Sequence, residues 1–389
     1  MANSFLPDDL MLCILTRLPV KAIIRFKSVC KTWFHLFSTP EFIKLHQAQF
    51  SSTPEDHQSF IVHSFVRNSM EPKNQFYIFN INEDVKKKPT ILEHPFSHHA
   101  QYIQLLHIVG CCNGLVCIFG HEIVIWNPAT KMSKTVPFRD CRPFKVVSLG
   151  FGYDAIKADF KVVMIVATME YRLTSVEIYS VNLDSWTTVD VGFQFRCFKS
   201  ENDLILNGNP YWVARIDRDK VLVCFDVLEL VFKIVPTIDW MVGFHEEVCY
   251  GFNTKTVKRR KVEFVDWNGA LGALVTDYEL EYRPIPGIPA TEYSKRVKCV
   301  WVWVFDDIEW IWRHNHTFGP SYMEVTRVSN CIKNQKMLGT LSYGKMCVLD
   351  LETGCVTELF DHACLGRYSI EAHGYTESLV HINGMEKVV

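Results

Sequence analysis

The sequence predicts an α+β chain of two unequal parts: a module of three helices at the N-terminus, and a large all-β domain built from a propeller-like repeat. Two observations lead to this fold class. The spacing of apolar residues changes near residue 50 from a helical period to short runs rich in Val, Ile, Phe, Tyr and Trp. A strand-and-turn unit then recurs about six times. We therefore divide the chain into a helical module over 1–48, a linker over 49–58 and a β domain over 59–389.

Proline residues and a tight junction divide the N-terminal apolar run into short helices. Pro7 precedes Asp8 and Asp9, so a proline and acidic groups mark the positive end of the first helix. The predicted helices cover Asp8 to Arg17, Lys21 to Ser28 and Lys31 to Phe37, and a further helix starts at Pro40 behind the N-cap residue Thr39.

The first helix is apolar on nearly all sides. Its apolar residues run from Leu10 to Leu15, and only Thr16 and Arg17 form a polar strip. A module of about 45 residues is close to the lower limit for a self-sufficient core. Part of this apolar surface must therefore be covered, either by the β domain or by a separate protein.

The β domain contains a unit in which a β-rich run ends in Asn or Asp and is followed by a short turn and another strand. The unit occurs at Asn80, Asn127, Asn182, Asp226, Asp306 and Asp350. The intervals are 44 to 55 residues long, except one of 80 that contains the charged, proline-rich segment Tyr278 to Lys298, interpreted as an inserted loop. Propeller blades have this length and hairpin content, and a β-sandwich with evenly spaced strands is the alternative.

Asn-Gly pairs support the same repeat, because this pair is preferred in tight hairpin turns. They occur at Asn113-Gly114, Asn207-Gly208 and Asn268-Gly269, each beside a hydrophobic run. If the units close into a ring, the last apolar segment, Tyr375 to Ile382, is expected to complete the first blade and leave no exposed edge.

Composition excludes several classes of protein. Lys plus Arg number 41 against 43 Asp plus Glu, so no global charge points to nucleic acid or to an anionic membrane. The chain start lacks a basic region before an apolar core, and no stretch approaches the roughly 18 uncharged apolar residues of a membrane span. We expect a soluble protein of the cytoplasm, with the nucleus as an additional location. The basic run Lys258 to Lys261 is interpreted as a solvated hairpin tip rather than a localisation signal.

No catalytic or metal-binding motif emerges from the sequence. The 14 cysteines contain no CxxC pair, and His98-His99 and His314 with His316 lack partners at ligand spacing. No nucleophile, phosphate-binding or metalloprotease signature is present. We therefore expect no metal, no cofactor and no catalytic residue. A copper-containing kelch-type oxidase is the enzyme alternative.

The N-terminal residues resemble an F-box over about the first 45 positions. The resemblance rests on LPDDL, the pair Ile14-Leu15, the run RLPVK, the run RFK, VCK and Trp33. In that family the helical module binds a Skp-type adaptor, which links it to a cullin and a RING protein of a ubiquitin ligase. The resemblance implies adaptor contacts by Leu6, Pro7, Leu10, Ile14, Leu15, Leu18, Pro19, Val20, Lys21, Phe26, Val29, Cys30 and Trp33.

The remainder of the chain, from about residue 105, resembles the F-box-associated, kelch-like domain of plant F-box proteins. The motifs that carry the resemblance are CNGLVCI with IVIWNPAT, LGFGYDAIKADFKVVMI and NGNPYWV. The short N-terminus and the ending HGYTESLV are similar to the S-locus F-box and S-locus F-box-like group, whose pollen determinants target pistil ribonucleases. The resemblance implies a non-catalytic substrate receptor of an SCF-type ubiquitin ligase that binds a target protein, with a secreted-type ribonuclease as one such target. A scaffold that holds the adaptor without promoting ubiquitination is the alternative.

Target contacts are expected on the predicted inserted loop, because mixed charge on a proline-stiffened segment suits discrimination between related partners. The candidate residues are Tyr278, Glu279, Glu281, Arg283, Glu292 and Arg296. Loops around Asp140 to Phe144 are a second candidate.

Overall fold

The structure, a computed structural model, has four helices followed by six β-sheets in the residues that it describes. It describes residues 7–52, 59–67, 72–80, 89–96, 106–137, 145–168, 173–197, 204–217, 219–237, 246–251, 254–283, 291–318, 325–332, 336–341, 346–360 and 369–388. No helix within these residues is long and apolar enough to cross a membrane.

Three of the four described helices begin at the predicted residue, and the second begins one residue earlier than predicted, at Val20. The four helices are α1 (Asp8–Leu15), α2 (Val20–Phe26), α3 (Lys31–Leu36) and α4 (Pro40–Ser52). The Oγ1 atom of Thr39 accepts a hydrogen bond of 3.2 Å from the backbone N–H of Phe42, which confirms the predicted cap of α4. Helix α4 ends at Ser52, inside the predicted linker, and the first strand starts at Ser59.

The β domain is a six-bladed propeller, so the propeller prediction is confirmed and the β-sandwich is wrong. Blade 1 consists of β1 (Ser59–Arg67), β2 (Pro72–Asn80), β3 (Thr90–Leu92) and β26 (Ser369–Tyr375). Blade 2 consists of β4 (His107–Cys112), β5 (Leu115–Phe119), β6 (Ile123–Asn127), β7 (Met132–Val136) and β27 (Glu386–Lys387). Blade 3 consists of β8 (Lys145–Asp154), β9 (Asp159–Ala167), β10 (Leu173–Ser180) and β11 (Ser185–Val189).

The second half of the ring has the same organisation. Blade 4 consists of β12 (Arg196–Cys197), β13 (Leu204–Leu206), β14 (Asn209–Ile216), β15 (Asp219–Asp226) and β16 (Val231–Val235). Blade 5 consists of β17 (Glu246–Gly251), β18 (Thr254–Trp267), β19 (Ala270–Arg283), β20 (Thr291–Asp306) and β21 (Ile311–Phe318). Blade 6 consists of β22 (Val325–Ile332), β23 (Lys336–Leu341), β24 (Met346–Asp350) and β25 (Val356–Phe360).

The two ends of the chain close the ring together. Strand β26 from the C-terminal region pairs antiparallel with β1, with Ser59 opposite Tyr375. It also contacts β4 of blade 2 and β22 of blade 6. The C-terminal region therefore completes blade 1 as predicted, but the strand is Ser369–Tyr375, and of the predicted segment only Tyr375 belongs to it.

All three Asn-Gly pairs form the predicted tight turns between strands. Their backbone φ angles are positive at both positions: 49° and 78° at Asn113-Gly114, 52° and 78° at Asn207-Gly208, and 53° and 87° at Asn268-Gly269. Positive φ at both central residues is the requirement of a type I′ turn, which Asn and Gly meet with the least strain.

The recurring Asn or Asp ends a strand because its side chain holds the following turn. Asn127, Asp226, Asp306 and Asp350 each accept hydrogen bonds from the backbone N–H groups two and three residues later. In blade 3 this position belongs to Ser180, whose hydroxyl accepts a hydrogen bond from the N–H of Leu183 at 3.2 Å, and not to the predicted Asn182.

The predicted inserted loop is wrong, because most of that segment is strand. Strands β19 and β20 pair as a long antiparallel hairpin through this region, with Tyr278 opposite Val297. Residues 284–290, between the two strands, lie outside the described residues. The run Lys258 to Lys261 lies within β18, so the predicted hairpin tip is also wrong. Arg260 forms an ion pair with Asp277 there, with Nε 2.7 Å from Oδ1.

Candidate protein-binding surfaces

The helical module has its own small core, which one residue from the far end of the chain completes. The buried side chains of this core are Leu15, Val20, Ile23, Phe37, Phe42 and Leu379. Leu379 follows β26, so the C-terminal segment of the propeller fills part of the core of the N-terminal helices. This contact covers part of the apolar surface of the first helix, as the sequence requires.

The other apolar face of α1 stays open to solvent. Leu10 and Ile14 are 53% and 52% exposed, whereas Leu15 on the same helix is 4% exposed. Leu10 and Ile14 are four residues apart and therefore lie on one side of the helix, next to the exposed Cys13. An apolar helix face of this kind is a surface for a partner protein.

A second exposed apolar group lies around the start of α3. Val29 is 63% exposed, Phe34 is 51% exposed, and Cys30 between them is also exposed. The Sγ atom of Cys30 accepts a hydrogen bond of 3.4 Å from the backbone N–H of Trp33, so this thiol caps α3. Phe34 was missed by the sequence analysis. The exposure of Phe34 could have been inferred from its position next to Trp33, because two adjacent aromatic residues on a short helix cannot both face inwards.

The structure sorts the predicted adaptor contacts into three groups. Pro7, Leu10, Ile14, Pro19, Lys21, Val29 and Cys30 are exposed. Leu18, Phe26 and Trp33 are half-buried, and Leu6 lies outside the described residues. Leu15 and Val20 are buried in the module core of the chain without a partner. Contact of all these residues with an adaptor stays a prediction.

The helices are held against one end of blade 2. Gln47 of α4 donates a hydrogen bond of 3.4 Å to the carbonyl of Asn113, in the turn between β4 and β5. Ala129, in the turn between β6 and β7, packs against the helical core. The Nε2 atom of His46 hydrogen-bonds the carbonyl of Leu18 at 2.9 Å, and burial lowers the pKa of this histidine, which favours its neutral form.

The hairpin of β19 and β20 carries all six predicted target contacts on facing strands. The backbone register places Glu279 opposite Arg296, Glu281 opposite Ser294, and Arg283 opposite Thr291. Glu292 lies opposite Tyr282. The second candidate, around Asp140 to Phe144, falls outside the described residues.

Within the described part of the chain no group of three His, Cys, Asp or Glu side chains could hold a metal ion. Two cysteines, Cys111 and Cys112, lie near the junction with the helices. Burial raises the pKa of the Cys112 thiol to about 12 and that of Cys111 still higher. Both thiols are therefore protonated at neutral pH and poorly nucleophilic.

A buried polar cluster joins β26 to three neighbouring strands. The Nδ1 atom of His107 donates to Glu371 at 2.7 Å, and the N–H of Ile108 donates to the other carboxylate oxygen at 3.1 Å. The Nε2 atom of His63, in β1, donates a hydrogen bond of 2.9 Å to the amide oxygen of Asn74. The Nδ1 atom of His63 is 3.9 Å from a carboxylate oxygen of Glu371. These hydrogen bonds join the closing strand to its neighbours, which is a structural role, although the buried Nδ1 atom of His63 has no hydrogen-bond partner among the described residues.

Comparison with known proteins identifies both parts of the chain. Residues 4–45 match the F-box domain, and residues 66–240 match the F-box associated beta propeller domain. Two similar proteins of Arabidopsis thaliana are the F-box/kelch-repeat protein At3g23880, 26% identical over 59% of this chain and 65% of the relative, and the F-box protein At3g17710, 26% identical over 60% and 62%. The matched region thus spans less than two thirds of either relative.

Among solved structures, apo AztD from Citrobacter koseri aligns over 82% of this chain and 99% of its own, with 11% identity and a TM-score of 0.38, a level that supports no argument. The two domain matches agree with the helices and with the ring of sheets. The chain therefore has an N-terminal F-box followed by a six-bladed β-propeller, of which residues 66–240 match the F-box associated domain, and the proteins similar to it include plant F-box proteins.

Proposed function

We propose that this protein is a substrate receptor of an SCF-type ubiquitin ligase, bound through its helices to a Skp-type adaptor and through the adaptor to a cullin and a RING protein. The observation that carries the proposal is the exposed face of α1. Leu10 and Ile14 are half exposed although the core of the module is already filled by Leu15 and Leu379. Burying this face in an adaptor would remove a substantial apolar surface from water.

In this role the protein performs no bond chemistry. It holds a target protein near the ligase and so raises the effective concentration of the target's lysines at the catalytic subunit. Enzymatic activity is not required of the receptor, and F-box proteins generally act as receptors rather than catalysts. A scaffold that binds the adaptor without promoting ubiquitination is the alternative function.

The proposed target surface is the hairpin of β19 and β20. Strands β18 to β20 are the longest of the ring, and the register places unlike charges such as Glu279 and Arg296 opposite each other. We propose the six residues named for this segment as target contacts. Membership of the S-locus F-box-like group, a secreted-type ribonuclease as the target, and a location in the cytoplasm and nucleus belong to the same proposal.

The adaptor interface is tested by charge substitution on the exposed face. Leu10→Glu with Ile14→Glu should abolish binding of a purified Skp-type adaptor, because both carboxylates would be buried in the contact. Leu45→Glu on α4 is the matched control, since Leu45 is 49% exposed and lies outside the proposed contact set. Both variants should unfold at the wild-type temperature. Unchanged adaptor binding by the double variant would refute the proposal.

The target surface is tested by exchanging residues 278–298 for the corresponding hairpin of a paralogue. Binding is measured to a panel of secreted-type ribonucleases, and ubiquitination is followed with reconstituted adaptor, cullin and RING protein. Target preference should follow the hairpin. If the exchange leaves the target preference unchanged, the hairpin is not part of the target site. Adaptor binding without any ubiquitination of a bound ribonuclease would favour the scaffold function.

A further inference from the structure

The turns that follow β6, β10, β15, β20 and β24 lie at the end of the ring that carries the helices; we call them the anchored turns, because an Asn, Asp or Ser side chain holds each of them. In an antiparallel blade, two turns that are separated by two strands are at the same end. In blade 2 both of these turns, at Asn113 and Ala129, contact the helical module. The N–H of Tyr153 at the end of β8 donates to the carbonyl of Gly208 at 3.0 Å, which joins the β8–β9 turn of blade 3 to the β13–β14 turn of blade 4 at that same end.

The anchored turns of blades 4 and 5, which follow β15 and β20, are neighbours on this end of the ring. Tyr211 of β14 packs against the hydrophobic cluster between the two blades, which contains Cys224, two residues before Asp226, and Phe305, next to Asp306. Burial is the main cause that raises the pKa of its phenol, and the nearby carboxylates of Asp226 and Asp307 raise it further. Asp226 opens the turn of blade 4, and Asp307 lies within the turn of blade 5.

These two turns present apolar side chains to solvent at their tips. Ile308 is 89% exposed, Trp310 is 54% exposed and Leu228 is 41% exposed. The corresponding positions of the blade 6 turn are Glu352, Thr353 and Gly354, which are polar or lack a side chain. The apolar tips are therefore not a requirement of the turn itself.

The backbone holds these tips in a conformation that bulky residues rarely adopt. The last residue of each turn has positive φ: 56° at Leu230 and 57° at Trp310, against 71° at Gly354 in blade 6. Left-handed backbone costs a bulky residue free energy that glycine avoids. A tryptophan placed there, half in solvent, is an outlier that fits a function in binding.

Hydrogen bonds and ion pairs make both tips rigid. Asp226 and Asp306 each accept two backbone N–H groups of their own turn. Their second carboxylate oxygens are bound by Lys233 at 2.6 Å and by Arg313 at 3.1 Å. A surface that is already ordered loses little entropy when a partner binds.

The charge around the apolar tips is negative. Lys233 and Arg313 are matched by Asp226 and Asp306, and Arg313 also pairs with Glu309. Glu229 and Asp307 add further negative charge, and both are exposed. We name the surface formed by Leu228, Glu229, Asp307, Ile308, Glu309 and Trp310 the apolar–acidic rim.

We propose that the apolar–acidic rim docks a basic amphipathic segment of another protein. Its apolar side would cover Ile308 and Trp310, and its Lys or Arg residues would face Glu229 and Asp307. The same negative charge disfavours an anionic membrane as the partner. This surface is separate from the proposed target hairpin, because β20 starts at Thr291 in that hairpin and reaches the apolar–acidic rim only after its other end, at Asp306. The inference therefore goes beyond the receptor function.

The turn of blade 6 supplies the test variant. Ile308→Glu, Glu309→Thr and Trp310→Gly together copy Glu352-Thr353-Gly354 into blade 5 and leave the net charge unchanged. The probe is a labelled helical peptide of Leu and Lys, roughly 18 residues or five turns long, with a Leu and Glu peptide of the same pattern for comparison. Fluorescence anisotropy measures binding to the full chain.

The Leu and Lys peptide should bind the wild type saturably, and the triple variant should bind it at least about tenfold more weakly. A second variant, Glu229→Gln with Asp307→Asn, keeps the apolar tips and should also weaken binding. Both variants should keep the wild-type unfolding temperature and adaptor binding. Absence of saturable binding to the wild type, equal binding by the triple variant, or equal binding of the Leu and Glu peptide would each overturn the proposal.

Discussion

Single residues decide which apolar side chains are available to a partner. Leu10 and Leu15 lie on the same short helix and look alike in the sequence, yet one is half exposed and the other is buried. The difference follows from the helical period, which turns positions five residues apart to different sides, and from Leu379, which occupies the inner side. A list of apolar residues therefore overstates the contact surface.

Backbone strain at the last residue of the anchored turns gives a residue-scale prediction. Lys131 occupies this position in blade 2 with φ of 56°. Lys131→Gly should be more stable than Lys131→Ala by about 1 kcal/mol, because alanine keeps the strain of the left-handed backbone and glycine does not. Both variants lose the exposed ion pair with Glu93, so the comparison cancels that contribution. Urea unfolding of the two variants measures the difference, and equal stabilities would show that the backbone at this position relaxes.

At the scale of elements, the buried cluster around Glu371 controls how firmly β26 closes the ring. Burial alone would raise the pKa of Glu371, but the hydrogen bond from His107 and the proximity of His63 outweigh it and hold the pKa well below its usual range. A depressed pKa means that the ionised carboxylate stabilises the fold. This contribution is complete above the unfolded pKa of about 4.5 and is lost as the pH falls towards the folded pKa.

Glu371→Gln should therefore destabilise the protein at pH 7 by about 1–3 kcal/mol, because a charge-assisted hydrogen bond becomes a neutral one. The difference from the wild type should shrink below about pH 4.5. Unfolding free energies of both proteins between pH 7 and pH 3 measure this effect. If the difference in unfolding free energy between the two proteins does not change with pH, Glu371 contributes through its shape and not through its charge. Asn74→Asp, in the same cluster, controls for general sensitivity to charge.

The elements that the sequence predicted correctly are those whose structure depends on interactions between residues close together in the chain. The Asn-Gly turns, the cap at Thr39 and the turn-holding Asp226 act through neighbouring backbone groups, so their signals lie within a few residues. The segment from Tyr278 to Lys298 was predicted as a loop because its charges and prolines resemble a solvated insertion. Its strands are specified by pairing across the hairpin, such as Glu279 opposite Arg296, which composition does not reveal.

The cluster of His63, His107 and Glu371 could not be predicted from the sequence either. Its members are polar residues in three separate strands, and only closure of the ring brings them together. For the same reason the burial of Leu379 against the helices could not be predicted, since it joins the two ends of the chain.

At the scale of the whole molecule, the C-terminal segment couples the F-box to the propeller. After β26 pairs with β1, the chain passes beneath the helices, where consecutive side chains face different partners. Leu379 is 2% exposed within the helical core, and Val380 belongs to the core between blades 2 and 3. The N–H groups of the Asn127 amide donate to the carbonyls of Ser378 and Val380 at 3.0 and 2.8 Å, which fixes this segment on blade 2.

This coupling predicts that Leu379→Ala loosens the F-box and leaves the propeller folded. A buried Leu→Ala change leaves a cavity that costs about 2–4 kcal/mol, and here the cavity lies among Leu15, Ile23 and Phe42. Hydrogen exchange followed by mass spectrometry should show faster exchange in α1 to α4, unchanged exchange in blades 3 to 5, and weaker adaptor binding. Val380→Ala is the neighbouring control, and its faster exchange should appear in blades 2 and 3 instead. If Leu379→Ala accelerated exchange evenly throughout the ring, the helices and the propeller would be one cooperative core, and the coupling would not be specific to this residue.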